Sequence, residues 1–262
     1  MHPLLQRQLA ADFCVTEADV LDDKHHFTVF TPHPERRQYM EIRPCLLKIA
    51  VVNGKLLFTG REDIIARCRE LYQSANAPWF MEAPNLAALD RELAAFGAHI
   101  RHARPFYTLT KPVHADTGDF IIHRYTPETI SAFKGDDRFE DAFGFCETAP
   151  DMLGVAAAKD GILLGMAGAS ADSPHLWQIG INVQPEARGQ GIASMLVRLL
   201  ANDVLAAGRI PYYGTSISHL ASQRVALSAG FRPAWFELVA ASSDKPEMKS
   251  FTPPCSNFPT MV

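Results

Sequence analysis

The sequence predicts an α/β fold with a mixed sheet, because strand-like and helix-like segments alternate along most of the chain. Two dipeptides, Asn53-Gly54 and Asp160-Gly161, each join a pair of apolar runs and predict tight β-hairpins. From residue 119 onward, the apolar periodicity predicts the order β, α, β, β, β, α, β, α, β. An antiparallel meander followed by helical crossovers is therefore expected in the second half of the chain.

The first 112 residues are predicted to form an N-terminal α/β portion. Ile64, Ile65, Cys68 and Leu71 are spaced as one apolar stripe of a helix, and Gly97 suits a helix C-terminus. We predict helices over 3–12, 62–75 and 84–97, strands over 27–30, 45–52 and 55–60, and an extended segment over 100–110.

A domain boundary is predicted at the polar stretch 110–119, which contains Pro112 and Gly118. A second domain then spans residues 118–240, and a loosely held tail with four prolines spans residues 241–262. Within the second domain we predict strands over 119–124, 152–159, 162–171, 176–183, 210–216 and 233–241, and helices over 127–142, 191–207 and 220–230.

Composition excludes several classes of protein. The formal net charge is -4, so nothing pulls the chain as a whole toward nucleic acid or an anionic membrane. The sequence shows no long apolar run typical of a membrane span and no evident secretory signal. The 5 cysteines are scattered without a C-x-x-C pair, which predicts reduced thiols, a cytoplasmic location and no metal site.

The junction 183–193 carries the clearest chemical signal. A strand ends at Val183, and a helix with an apolar stripe begins near Gly191. The first N–H groups of a helix lack partners within it and lie at the positive end of its dipole. Gly189 and Gly191 leave the backbone open, and Arg188 adds a full charge. Together these features predict a seat for a phosphate or pyrophosphate.

The segment "VQPEARGQGIA" closely resembles the acetyl-CoA signature of the GCN5-related N-acetyltransferases (GNAT), V-x-P-x-x-R-G-x-G-x-[GA]. The later "SHLASQRVALSAGFRPAW" resembles the family's second CoA-side element, a helix that ends in Gly-Phe, here Gly230-Phe231. Order, spacing and predicted elements agree with this family over roughly residues 118 to 240. The resemblance implies a GNAT acyl-CoA N-acyltransferase fold with an additional N-terminal α/β portion, as in two-part bacterial members.

The resemblance also implies where acetyl-CoA, the co-substrate, would bind. The strand that ends at Val183 would diverge from the strand that begins near Ile210, and the pantetheine arm would enter the gap. The implied cofactor-binding residues are Ile181 and Val183 for the pantetheine amides, Arg188, Gly189, Gln190, Gly191, Ile192 and Ala193 for the pyrophosphate, and Ser222 for the CoA arm.

The acid–base residues depart from the family pattern. Ala226 stands where many members have a thiol-protonating tyrosine, and Gln178 and Gly180 stand on the strand that often carries a glutamate base. The catalytic candidates are therefore His219 at a helix start, Asp172 in a turn, and Tyr213, if its strand turns that ring toward the acceptor. Each has a structural alternative: a solvated helix end, an Asp-Ser-Pro turn, and a core aromatic.

The predicted function is acetylation of the primary amine of a small molecule, by direct attack on the thioester in a ternary complex. Two alternatives remain open: a non-catalytic CoA-binding regulatory protein, and an acetyltransferase acting on a protein N-terminus or lysine. The N-terminal portion is predicted either to form one side of the acceptor site or to form a homodimer contact. His25, His26, His99 and His102 are interpreted as structural or surface residues rather than metal ligands.

Overall fold

The structure is a computed structural model of the 262-residue chain, and it describes residues 1–37 and 44–243. The helices are α1 (Pro3–Phe13), α2 (Glu17–Leu21), α3 (Glu62–Tyr72), α4 (Ala83–Ala94), α5 (Pro127–Ile130), α6 (Ile192–Ala206) and α7 (Leu220–Ser228). The strands are β1 (His26–Val29), β2 (Leu47–Val52), β3 (Lys55–Gly60), β4 (Ala98–Thr108), β5 (Ile121–Tyr125), β6 (Asp151–Lys159), β7 (Ile162–Ser170), β8 (Leu176–Val183), β9 (Ile210–Gly214) and β10 (Arg232–Ser242).

The predicted mixed α/β class is confirmed, and both predicted hairpins are present. Asn53 and Gly54 have φ values of 50° and 77°, and Asp160 and Gly161 have 52° and 79°. Positive φ at both central residues matches the right-handed twist of the flanking strands. The clearest error concerns 127–142, where the structure forms α5 and two short 3-10 turns, Ser131–Phe133 and Asp137–Phe139, instead of a long helix.

The chain divides into two compact units. Among the described residues, unit 1 comprises 1–37, 44–106 and 234–243, and unit 2 comprises 107–233. The division after Phe106 precedes the predicted boundary at 110–119 by a few residues. Strand β10 continues to Ser242, two residues into the predicted tail, and the remainder of that tail, 244–262, lies outside the described residues.

Unit 1 is built on a sheet with the strand order β1-β3-β2-β10-β4. Strand β1 runs parallel to β3, while β2 is antiparallel to both β3 and β10. Its apolar core joins β2, β3 and β10 to the inner faces of α3 and α4, through residues such as Ile49, Phe58, Ile64 and Leu89.

Charged groups inside unit 1 pair with one another. The buried Arg37 lies 2.5 Å from Asp12 through Nε and 2.5 Å from Glu237 through a terminal nitrogen, and Lys48 Nζ lies 3.3 Å from Glu237. Burial alone would raise the pKa of Asp12, but Arg37 and Lys48 outweigh it and hold that pKa at about 2. These charges therefore form a closed structural network.

Unit 2 has the strand order β9-β8-β7-β6-β5. Strands β5 to β8 form an antiparallel meander, and β9 returns parallel to β8. Helix α6 packs across the sheet because Ile192, Leu196 and Leu200 fall on one buried face. The sheet and α6 thus hold in place the end of β8 and the start of α6, where the predicted acetyl-CoA signature lies.

Two predictions from composition can be compared with the structure. Cys14, Cys45 and Cys68 are free thiols, but Cys146 is disulfide-bonded, so the prediction of reduced cysteines is wrong for Cys146. Scattered spacing alone gives no information on which cysteines meet in space. Across residues 1–37 and 44–243, no helix is long and apolar enough to cross a membrane.

Candidate active site

Strands β8 and β9 separate partway along their length. Their parallel pairing covers only Leu176 to Gln178 on β8 and Ile210 to Tyr212 on β9, although β8 continues to Val183. A sheet that opens in this way leaves backbone groups of the longer strand without a neighbouring strand. The predicted divergence of these strands is therefore present.

The backbone groups that face this opening can be identified from the β7–β8 register. Gln184 N donates to Leu164 O at 2.8 Å, directly beyond the last paired residues of the two strands. In an antiparallel ladder, alternate residues bond to the same neighbour. The N–H and C=O groups of Ile181 and Val183 therefore point away from β7, toward the opening beside β9.

The start of α6 forms an open backbone cradle. Gly189 and Gly191 have φ values of 79° and 78°, and a Cβ at either position would meet no atom within 4 Å. Within the described chain, the N–H groups of Gly189 to Ser194 donate no hydrogen bond. Six unpaired donors at the positive end of a 15-residue helix favour an anionic ligand.

Arg188 links the cradle to the end of β8. Its side chain is exposed, and its Nε donates to the Val183 carbonyl oxygen at 3.2 Å. Its own N–H donates to Pro185 O at 3.3 Å, so the open set of amides begins at Gly189 rather than at Arg188. The Arg188 guanidinium therefore contributes charge beside the cradle, while the Arg188 backbone N–H is already hydrogen-bonded within the preceding turn.

Helix α7 brings Ser222 to Tyr213. Ser222 Oγ and the Tyr213 hydroxyl lie 2.9 Å apart, and the Tyr213 ring is buried against Phe231. Ala226 is fully buried on the same helix, so this position contributes no hydroxyl to the site. His219 stands exposed at the N-terminus of α7.

Asp172 and Tyr212 are bound to each other inside unit 2. The Tyr212 hydroxyl donates to Asp172, and Ser170 Oγ donates to the same carboxylate at 2.8 Å. Asp172 is 1% exposed and Tyr212 is fully buried. Tyr212 and Tyr213 thus lie on opposite faces of β9, and both hydroxyls have protein partners.

A loop rich in acidic residues covers one face of β7 and β8. We call residues 136–143 the acidic loop, since they include Asp136, Asp137, Glu140 and Asp141. A Cβ on Gly180 would lie 1.7 Å from Asp141 O, and one on Gly168 would lie 1.8 Å from Ala142 O. The two glycines are therefore required for the loop to lie flat on the strands.

Asn182 fastens the acidic loop to β8. Its Oδ1 accepts from the N–H groups of Asp141 and Ala142, each at 2.9 Å, and its Nδ2 donates to Asp141 Oδ2 at 3.0 Å. Because Asn182 and Gly180 are two residues apart, both present the same face of β8. The Asp141 carboxylate is thus held on the strand that also carries Ile181 and Val183.

Three groups determine the protonation of Asp141. Partial desolvation by the surrounding protein raises its pKa, while the Asn182 hydrogen bond lowers it. The Glu140 charge raises the same pKa and His219 lowers it, with a net result above the ordinary value. Asp141 nevertheless stays exposed, so a ligand can reach it.

The structure thus brings most of the predicted site residues onto neighbouring elements of unit 2. Ile181, Val183, Arg188, Gly189, Gln190, Gly191, Ile192 and Ala193 follow one another along the end of β8 and the start of α6, and Ser222, His219 and Tyr213 lie on α7 and β9. Their roles stay predictions. The sequence did not identify Glu140, Asp141 or Asn182, and only the pattern of small residues on β7 and β8 could have indicated a loop lying there.

Unit 1 contains one cluster of metal-ligating side chains that the sequence did not indicate. Ligand atoms of Asp19, Asp22 and His26 all lie within 4.8 Å of one another. The buried Lys55 donates to Asp22 Oδ1 at 2.9 Å, so an ammonium already compensates the acidic charge.

Two of the other histidines named in the sequence analysis have structural surroundings. His25 Nε2 lies 2.8 Å from Ala75 O. Burial lowers the pKa of His102 to about 4.

Comparison with known proteins agrees with this geometry. Residues 119–231 match the model of the acetyltransferase (GNAT) family, and a comparison with curated proteins found no match. A GNAT-family structure from Novosphingobium aromaticivorans shares 22% identity, covering 56% of this chain and 68% of its own, with a TM-score of 0.39. A GCN5-related N-acetyltransferase-like protein from Streptococcus suis shares 16% identity, with 60% and 68% covered and a TM-score of 0.41.

A further structure, an acetyltransferase from Salmonella typhimurium with its cofactor acetyl-CoA, shares 13% identity. It covers 51% of this chain and 99% of its own, with a TM-score of 0.35. The family assignment rests on the sequence match, which contains both the cradle and the diverging strands. Residues 119–231 therefore form an acetyltransferase domain of the GNAT family.

Proposed function

We propose that this chain is an N-acetyltransferase that moves the acetyl group of acetyl-CoA to a primary amine of a small molecule. The observation that carries the proposal is the continuity of two backbone surfaces, each with open hydrogen-bonding groups. The open edge of β8 leads directly to the cradle of free N–H groups at the start of α6. An extended amide-containing arm that ends in a pyrophosphate is complementary to that path.

The residues present fit the donor. The N–H and C=O groups of Ile181 and the N–H of Val183 can pair with pantetheine amides, while Val183 O already accepts from Arg188. The amides of Gly189 to Ala193 can bind the pyrophosphate. Arg188 adds a positive charge, and Ser222 Oγ is available to the CoA arm from α7. Acetyl-CoA supplies the activated acetyl group as a thioester.

Catalysis would rest on positioning and on proton transfer. Binding donor and amine together makes the attack effectively unimolecular, and direct attack requires no covalent enzyme intermediate. His219 is exposed near the opening and is our candidate for proton transfer to or from the reacting groups. The burial and hydrogen bonds of Asp172 and Tyr213 favour a positioning role, in which they fix β9 beside the opening.

The test measures acetyl-CoA binding by titration calorimetry and thiol release in the presence of a panel of primary amines. Gly191→Glu fills and charges the cradle and should weaken binding by at least about 100-fold. Gly208→Glu is the matched control, because Gly208 has a φ of 74°, lies past the other end of α6, and also has open space at its Cβ position. Both variants carry the strain of positive φ, but only Gly191→Glu disturbs the cradle.

Each outcome separates one alternative. Equal binding by Gly191→Glu and wild type would place CoA elsewhere and overturn the site. Wild-type binding without thiol release for any amine would support a non-catalytic CoA-binding protein. Acetylation of protein N-termini or lysines in preference to free amines would support a protein acetyltransferase.

A further inference from the structure

Position 180 on β8 has no room for a catalytic side chain. The backbone oxygen of Asp141 lies 1.7 Å from where a Cβ of residue 180 would be, which is far inside any contact distance. A glutamate at this position, the base that the family resemblance implies, is therefore sterically impossible here. The acidic loop occupies its place.

The same loop supplies two carboxylates at that position. Asp141 is fixed by Asn182 through its backbone N–H and its own Oδ2, at 2.9 and 3.0 Å. Glu140, its neighbour, is half-buried, and its Oε2 is inaccessible to solvent without a hydrogen-bond partner. A buried carboxylate oxygen without a donor is costly unless a ligand supplies one.

The electrostatic surroundings define what that ligand would be. Among the ionisable groups near Asp141, Glu140 raises the pKa of its carboxyl, and His219, at the start of α7, lowers it. Two adjacent carboxylates attract a cation that has several N–H donors. A protonated primary alkylamine has both properties, whereas an arylamine is neutral near pH 7 and lacks the charge.

The geometry points to Glu140 and Asp141 as the seat of the acceptor ammonium, with Asp141 as the base that removes its proton. This inference rests on the proposed function and names the acceptor class as protonated primary alkylamines. Asn182 is a positioning residue, since it acts by holding Asp141 on β8. Glu140 contributes ammonium binding through its unpaired oxygen.

The proposed transfer moves two protons and exchanges one C–S bond for one C–N bond. The bound R–NH3+ gives one proton to an Asp141 carboxylate oxygen and becomes a neutral amine. Its lone pair forms the C–N bond at the thioester carbonyl carbon, and the C–S bond breaks. The second proton leaves nitrogen for the thiolate sulfur, so the products are an N-alkyl acetamide and the CoA thiol. Asp141 then releases its proton to solvent, to which it is exposed.

Three variants test the assignment: Asp141→Asn, Glu140→Gln and, as the matched control, Asp137→Asn. Asp137 lies in the same acidic loop and is exposed, so its substitution removes an equal charge without touching Asn182. The assay measures kcat and KM for primary alkylamines from butylamine to diamines and amino sugars, with aniline as the neutral probe, at saturating acetyl-CoA. Calorimetry measures acetyl-CoA affinity in parallel.

We expect Asp141→Asn to lower kcat by about 100-fold, the usual contribution of a general base. Its acidic limb in the pH profile of kcat/KM should disappear, because that limb reports the Asp141 carboxyl, whose pKa is raised. Glu140→Gln should raise the KM for alkylamines with a smaller change in kcat. Asp137→Asn should match wild type, and all variants should bind acetyl-CoA with wild-type affinity.

The failures are distinguishable. Wild-type rate and pH profile in Asp141→Asn, or preference for aniline over every alkylamine, would overturn this inference while leaving the proposed function intact. Turnover of none of the alkylamines by an acetyl-CoA-bound wild type would overturn the inference as well. Absence of acetyl-CoA binding would overturn the proposed function itself.

Discussion

A charged network in unit 1 and the amides at the start of α6 in unit 2 differ in how their polar groups are paired. In unit 1, Arg37 joins the buried carboxylates of Asp12 and Glu237, so each charge there is compensated by a protein partner. In unit 2, the amides of Gly189 to Ser194 donate to no group in the described chain, and Glu140 Oε2 accepts from none. The paired charges of the network serve stability, whereas the open amides at the helix N-terminus are available to an anionic ligand.

Because of this difference, we expect substitutions in the network to affect stability and substitutions in the open surfaces to affect ligand binding. Changes to the closed network should alter the free energy of unfolding and leave acetyl-CoA affinity unchanged. Changes to the open surfaces should have the reverse effect.

The largest effect is expected for Arg37→Met. Removing the guanidinium leaves Asp12 and Glu237 buried without their main partner, and breaking a buried pair in this way costs about 3–5 kcal/mol. Denaturant titration measures the loss, and calorimetry should show unchanged acetyl-CoA affinity. Arg7→Met is the control, because the Arg7–Glu35 pair is exposed and is worth at most about 1 kcal/mol. Equal losses in the two variants would contradict the account.

Gly180→Ala tests the contact between the acidic loop and β8. The added Cβ must displace the Asp141 backbone, so we expect a loss of about 1–3 kcal/mol in the free energy of unfolding. Turnover of alkylamines should fall as well, while acetyl-CoA affinity stays at the wild-type value. Gly165→Ala on β7 is the comparison, since its nearest contact would be 3.1 Å and a small adjustment suffices. Wild-type stability in Gly180→Ala would mean that the loop does not lie on the strand.

The pH dependence of stability should report the closed network. Asp12 has a folded-state pKa of about 2, below its ordinary value of 3.8, so it stabilises the fold at neutral pH. That stabilisation, about 2 kcal/mol, is complete above the unfolded pKa and is lost as the pH falls toward 2. Denaturant titrations of wild type and Asp12→Asn between pH 2 and 6 give the free energy of unfolding at each pH. This free energy should fall more steeply with decreasing pH in wild type than in Asp12→Asn. Parallel curves would contradict the assigned role of Arg37.

The open backbone cradle at the start of α6 could be predicted from the sequence, whereas the acidic loop could not. The cradle depends on neighbouring residues: the glycines at 189 and 191, and the apolar stripe of α6 that follows them. The acidic loop depends on contacts between Asp141 and Asn182, which are 41 residues apart in sequence. The sequence predicted most of its residues as part of a helix over 127–142, but Gly135, with a φ of 86°, interrupts that segment.

The same distinction applies to the two tyrosines of β9. Strand alternation puts the neighbouring residues Tyr212 and Tyr213 on opposite faces of β9, and the structure agrees. Their partners, Asp172 and Ser222, come from other elements, and both rings are buried. The expectation that one ring faces the acceptor cleft finds no support in this burial, because alternation fixes direction but not what covers each face.

The smallest effect is expected for Tyr213→Phe. Removing the hydroxyl leaves Ser222 Oγ, which is half-buried, without its 2.9 Å partner, and a hydrogen bond of this kind contributes about 1 kcal/mol. A positioning role predicts a small change in kcat as well. A fall in kcat of about 100-fold without loss of stability would instead make Tyr213 a direct proton donor.

The most direct test of the central claim is backbone amide hydrogen exchange with and without acetyl-CoA. The amides of Gly189 to Ala193 should exchange rapidly in the free protein and become protected when acetyl-CoA binds. Amides of the unit 1 strands β2 and β3 should show no comparable change. Acetyl-CoA binding that leaves residues 189–193 unprotected would contradict the claim that the open amides of unit 2 form the donor site.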